Sequence, residues 1–126
     1  MGWNSPDIYN QPEHFGIKPI GEFEWSQPDY SFDFTVVWQS TEDPSLFYWA
    51  RDSGCSCPSP FESYTTLEGD DWDPVYKGTK HEAIAVCLEA LEELRPKEGN
   101  ENYYAGANFR NAEPQILELV GKLVQL

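Results

Sequence analysis

Apolar and polar side chains alternate most sharply between residues 30 and 39. There Tyr30, Phe32, Phe34, Val36 and Trp38 take turns with Ser31, Asp33, Thr35, Val37 and Gln39. A period of two, with aromatic and β-branched residues on one face, predicts a half-buried strand. A shorter alternation from Ile20 to Trp25 sets Phe23 and Trp25 on one face and Glu22 and Glu24 on the other. Leu46 to Arg51 predicts a third strand, apolar on both faces, with Phe47 and Trp49 one way and Leu46 and Tyr48 the other. Such a strand lies under a helix on one side and under the N-terminal arm or a partner on the other. Turn residues at Ser26 to Asp29 and Thr41 to Ser45 join these runs by short connections, which gives an antiparallel meander over 20–51.

Beyond residue 78 the period changes. Thr79-Lys80-His81-Glu82 is a capping box, and Ile84, Cys87, Leu88 and Leu91 follow at helical spacing until Pro96. This predicts a helix over 79–95. A second is predicted over 112–125, with Asn111 as N-cap and Pro114 in its first turn. Its apolar positions, Ile116, Leu117, Leu119, Val120, Leu123, Val124 and Leu126, form a stripe wider than one core face needs. Burial between sheet and first helix explains that width, and a homodimer through this helix is the alternative. Residues 97–111 read as a long loop, 1–16 as an irregular arm pinned by aromatics, and 52–78 as Cys/Pro and acidic loops. The expected fold is a single α+β domain, a three-stranded antiparallel β-meander followed by two α-helices packed on one face.

Charge changes the picture more than composition does. The net charge is −14, and 14 of the 22 acids fall in residues 1–78 against only three bases, Lys18, Arg51 and Lys77. Phosphate neutralisation needs clustered Lys and Arg, so direct nucleic-acid binding is not expected. A basic protein surface suits the charge. Glu22, Glu24, Asp33, Asp70, Asp71 and Asp73 are the candidate binding surface, with mimicry of nucleic acid as a sharper form of the same idea. Evenly spaced surface carboxylates would support mimicry. No apolar run approaches the roughly 20 residues of a membrane span, and the first residues carry no basic and apolar leader pattern. Three cysteines, two of them one residue apart, are no disulfide framework, and a reducing cytoplasm is the expected setting.

The stretch Asp52-Ser53-Gly54-Cys55-Ser56-Cys57-Pro58-Ser59-Pro60-Phe61-Glu62 concentrates the candidate chemistry. As a zinc site, Cys55 and Cys57 would need His81 and an Asp such as Asp52 or Asp70. One intervening residue is tighter than the usual two to four of paired zinc ligands. As a reactive thiol site, the stretch is too acidic to lower a thiol pKa, despite Arg51. As a structural corner it is well made: Gly54 turns, the prolines stiffen the exit and Phe61 anchors it. The corner is the favoured reading. The acids at 68–73 do not match a calcium-loop spacing and read as a solvated turn. No phosphate loop, metalloprotease motif or nucleophile elbow is present in the sequence.

Phe34-Thr35-Val36-Val37-Trp38 and Tyr48 to Thr65, above all the run from Asp52 to Glu62, resemble a domain-of-unknown-function family of small proteins from actinobacteriophages and some of their hosts. The resemblance implies a phage-encoded accessory protein in the bacterial cytoplasm and brings no activity, cofactor or catalytic residue. The expected function is therefore non-enzymatic: binding of a host or phage protein. A zinc- or thiol-dependent protein centred on Cys55 and Cys57 is the alternative.

Overall fold

Both faces of the central sheet are covered, and by different material. The computed structural model describes residues 5–26, 31–55, 59–96 and 103–126. Four antiparallel strands, β1 (Ile17–Glu24), β2 (Ser31–Ser40), β3 (Phe47–Cys55) and β4 (Tyr76–Gly78), lie in that order across the sheet. Two helices, α1 (Lys80–Leu94) and α2 (Tyr103–Val124), complete an α+β domain. The three-stranded expectation is corrected by β4. Three residues are too few for an alternation to show, and their pairing with Phe47, Tyr48 and Trp49 is set by tertiary contact.

Register decides which side chains share a face. Phe23 pairs with Thr35 and Val37 with Trp49, so these four point together toward the helices. Phe23, Val37 and Phe47 join Ala83, Cys87, Ala90, Leu91, Ala112, Ile116, Leu119 and Leu123 in one core, with Trp49 packed against it. Phe34, Val36 and Trp38 point the other way, away from the helices. There Val36 and Trp38 meet Ile8, Ile17, Ala50, Phe61 and Tyr64 in a second core. The aromatic faces of β1 and β2 thus lie on opposite sides of the sheet. The layer on the second side is the arm together with residues 59–67, tied by Ile8 N–H donating to the Tyr64 carbonyl at 3.0 Å. The expectation that β3 is covered on both faces agrees with this arrangement.

Helix α1 opens on the Thr79 capping box, with Glu82 N–H donating to Thr79 Oγ1 and Thr79 N–H to the Glu82 carboxylate. Its buried positions are Ala83, Cys87, Ala90 and Leu91, while Leu88, expected on the apolar face, is largely exposed. The alanines let the neighbouring layers approach closely.

Helix α2 begins nine residues before the expected 112, so 103–111 is helix rather than loop, and residues 97–102 lie outside the described residues. Pro114 sits inside it. Asn, Gly and Pro all argue against a helix locally. Packing overrides them: Ala107, Ala112 and Ile116 are buried, and Leu119 Cδ1 would come within 2.9 Å of any Cβ at Gly21 of β1. Asn111 is no N-cap. Its amide donates to the Ser26 carbonyl and fastens α2 to the end of β1. Among the described residues no helix is long and apolar enough to cross a membrane.

Candidate functional site

The residues expected to form sites do not gather in one place. Cys55 ends β3 opposite Ser31, whereas His81 lies in the first turn of α1, just past the Gly78 that pairs with Phe47. The eight-residue climb from Phe47 to Cys55 spans roughly 26 Å, so strand geometry sets Cys55 and His81 at opposite ends of the sheet. The side chain of Cys55 and the whole of Cys57 lie outside the described residues. Asp52 accepts the Phe61 N–H at 2.8 Å, and Asp70 accepts the Trp72 and Asp73 N–H groups at 2.9 and 2.7 Å. Both carboxylates offered as further zinc ligands are thus engaged in holding loops. Among the described residues no three His, Cys, Asp or Glu side chains converge as metal ligands would. Cys87, the buried cysteine of α1, has its thiol pKa pushed up to about 12 by burial.

The candidate acidic surface is likewise divided. Glu22 is exposed on β1 and accepts the Tyr9 hydroxyl, at 3.1 Å to Oε1. Glu24 is only 8% exposed, and its backbone N–H donates to Gln115 Oε1 of α2. This corrects the expectation of an exposed Glu22/Glu24 face. Glu24 is withdrawn from solvent while Glu22 is not. Asp33 is spent on Arg51, with two parallel bonds of 2.8 Å to Nε and Nη2. Asp70, Asp71 and Asp73 lie just before β4, at the sheet edge opposite β1. Three strand spacings, about 14 Å, separate the two edges.

Residues 66–75 build a tight turn from their own chemistry. Asp70 Oδ1 receives two backbone N–H groups, Asp70 N–H donates back to the Asp73 carbonyl at 3.2 Å, and Gly69 N–H donates to Thr66 Oγ1 at 3.1 Å. Gly69 has φ +66°, and a Cβ there would fall 2.5 Å from the Val75 nitrogen, so only glycine fits. At the tip of this self-held turn Trp72 is 90% exposed between Asp71 and Asp73. The sequence pattern marks the stretch as a solvated turn, which agrees with this exposure, but does not single out Trp72. The signal was there in a tryptophan enclosed by acids, where a turn residue is usually small or polar.

A second feature is built on the sheet itself. Trp25, Thr35, Trp49, Arg51, Tyr76 and Val86 line a largely apolar cleft of about 200 Å³ on the helix side of the sheet. The Arg51 guanidinium stacks on Trp25, 3.7 Å from the ring centroid, and Trp25 Nε1 donates to Thr35 Oγ1 at 2.8 Å. The Asp33 hydrogen bond foremost raises the Arg51 pKa, so the charge stays on. That volume suits one side chain better than a drug-sized molecule, whose pockets run from about 300 Å³ upward.

A family model described as a domain of unknown function, DUF7574, matches residues 6–125. No curated protein and no solved structure matches the chain.

Proposed function

The chain belongs to the DUF7574 family of domains of unknown function, and on that footing we propose that it is a non-enzymatic protein-binding module. The observation that carries this reading is the self-bonded turn that holds Trp72 in solvent between two aspartates. Tryptophan is the residue most enriched among interface hot spots, and it anchors best where a polar rim surrounds it. Holding the turn in shape beforehand reduces the ordering cost of binding. The acidic rim selects a partner with a basic surface around an apolar pocket. Carboxylates that are paired, buried or confined to one turn favour this over mimicry of an evenly charged nucleic acid. The resemblance to phage and host proteins supports a partner in the bacterial cytoplasm, encoded by host or phage.

A photo-crosslinking residue installed in place of the exposed Glu68, with Trp72 kept, is expected to give a discrete protein adduct in bacterial lysate at low salt. In a separate capture experiment the same protein is lost when Trp72→Ala replaces the native chain. Equal capture by Trp72→Ala would overturn the proposal.

A further inference from the structure

Strand β3 carries an edge that β4 covers only in part. Ser40 N–H of β2 donates to the Leu46 carbonyl at 2.9 Å. Backbone groups alternate along a strand, so Tyr48, Ala50 and Asp52 turn theirs toward β2, and Phe47, Trp49, Arg51, Ser53 and Cys55 turn theirs outward. The Tyr64 hydroxyl agrees with this assignment, since it donates to the Arg51 carbonyl at 2.9 Å. Strand β4 pairs with Phe47 to Trp49 and no further, because the chain arrives through Pro74. From the Arg51 N–H to Cys55, no described strand lies alongside, and Ser53 is exposed. The far edge of the sheet is managed differently. On β1 the register shifts between Pro19 and Gly21, Lys18 and Pro19 stand on the edge, and Gln115 takes the Glu24 N–H.

We propose that the outward edge of β3 from Arg51 to Cys55 receives an extended, basic segment of a partner protein as an added strand, in line with β4. This rests on the protein-binding reading above and names its mode. Strand addition supplies main-chain hydrogen bonds, and alternate side chains of the added strand supply specificity. The side chain opposite Arg51 falls on the helix side of the sheet, where the cleft between Trp49, Tyr76 and Val86 has room for one apolar group. The neighbouring side chain, opposite Asp52, falls on the other side. There Asp52, Asp73 and Asp70 all stand near enough to the Tyr64 hydroxyl to add to the rise in its pKa that burial begins. Arg51 is neutralised by Asp33, so carboxylates dominate this edge. The charge therefore selects a basic occupant and disfavours a second copy of a chain with net charge −14.

The test uses the full chain and a capped six-residue peptide of alternating Lys and Leu. Binding should slow amide hydrogen exchange at Arg51, Ser53 and Cys55 at least about tenfold. Methylating the alternate peptide nitrogens that face β3 should weaken binding about tenfold, while methylating the other set leaves it unchanged. Ser53→Pro should fold, because its N–H points outward, and should lose the peptide. If that variant does not fold, the two methylated peptides still decide. Failure of the peptide to bind, or equal binding of both methylated forms without slowed exchange, overturns strand addition. A dimer whose Ser53 amide is already protected assigns the edge to a second copy and also overturns it. The crosslink from position 68 and the loss of capture in Trp72→Ala are read separately, so protein binding can stand when strand addition falls.

Discussion

The backbone N–H of Phe61 donates to the Asp52 carboxylate at 2.8 Å, which closes the excursion between the end of β3 and the second core. Phe61 adopts φ +61°, a region that costs a non-glycine residue about 1–2 kcal/mol. Its ring offsets that cost: it is fully buried, stacks on Tyr9 at 5.3 Å between centroids, and meets Trp38 and Tyr64 edge-on. Phe61→Ala should lose about 3–5 kcal/mol of stability in urea denaturation. Asp52→Ala, which leaves a half-buried N–H without its acceptor, should lose about 1–3 kcal/mol. A loss below 1 kcal/mol for Phe61→Ala would show that the arm-side layer contributes little to folding.

Trp72 and Gly69 separate presentation from contact. Trp72→Ala removes an exposed side chain and should leave stability within about 0.5 kcal/mol while partner capture disappears. Gly69→Ala keeps Trp72 but forces a Cβ against the Val75 backbone. It should weaken capture as well, through a turn that no longer holds its shape. Unchanged capture with Gly69→Ala would mean that the turn's rigidity is irrelevant.

Tyr9 makes stability sensitive to alkali. Burial foremost, then the Glu22 charge and hydrogen bond, push its hydroxyl up to about 12, against about 10 for an unfolded tyrosine. Between those values the unfolded state loses its proton first, so stability is intact below pH 10 and falls as pH rises through about 12. The ring is only partly buried, so solvent screening limits the effect to about 1 kcal/mol. Denaturation midpoints from pH 9 to 12 should therefore fall less steeply for Tyr9→Phe than for the native chain. Tyr64, also raised by burial and nearby carboxylates, contributes the remaining slope. Identical slopes would remove Tyr9 from the account.

Cys87 should be silent to thiol reagents while the chain is folded. With its pKa near 12, its thiolate fraction at pH 8 is about a thousandfold below that of an ordinary cysteine. Peptide mapping after iodoacetamide should find Cys87 unlabelled in buffer and labelled in urea. Labelling at equal rates in both would contradict its burial on the core face of α1.

Local pattern carried much of the architecture. The alternation at Phe34 to Trp38, the capping box at Thr79 and the doubly apolar β3 each depend on neighbours within a few residues, and each names its element correctly. Two details are corrected: β2 is buried on both faces from Thr35 to Ser40 rather than half-buried, and β3 runs on to Cys55, so Gly54 pairs with Phe32 in the sheet instead of turning a corner. The readings that changed depend on distant partners. Tyr76 to Gly78 is a strand because β3 is beside it, and 103–111 is helical because α1 and β1 cover it. Glu24 is buried because the sheet carries a layer on each face, and Asp33 is spent on Arg51 because the β2–β3 register sets them side by side.

Sequence alone determined the acid charge, the strand and helix periods, and the glycine, aspartate and tryptophan of the turn at 69–73, since those follow from side chains and their immediate neighbours. Tertiary structure decided that the aromatic faces of β1 and β2 oppose each other across the sheet. It also separated Cys55 from His81 and, among the described residues, left β3 past Trp49 without a neighbouring strand on its outward edge. Register and layer order settle these points, because each pairing brings together residues far apart in the chain and one step of register exchanges the two faces of a strand.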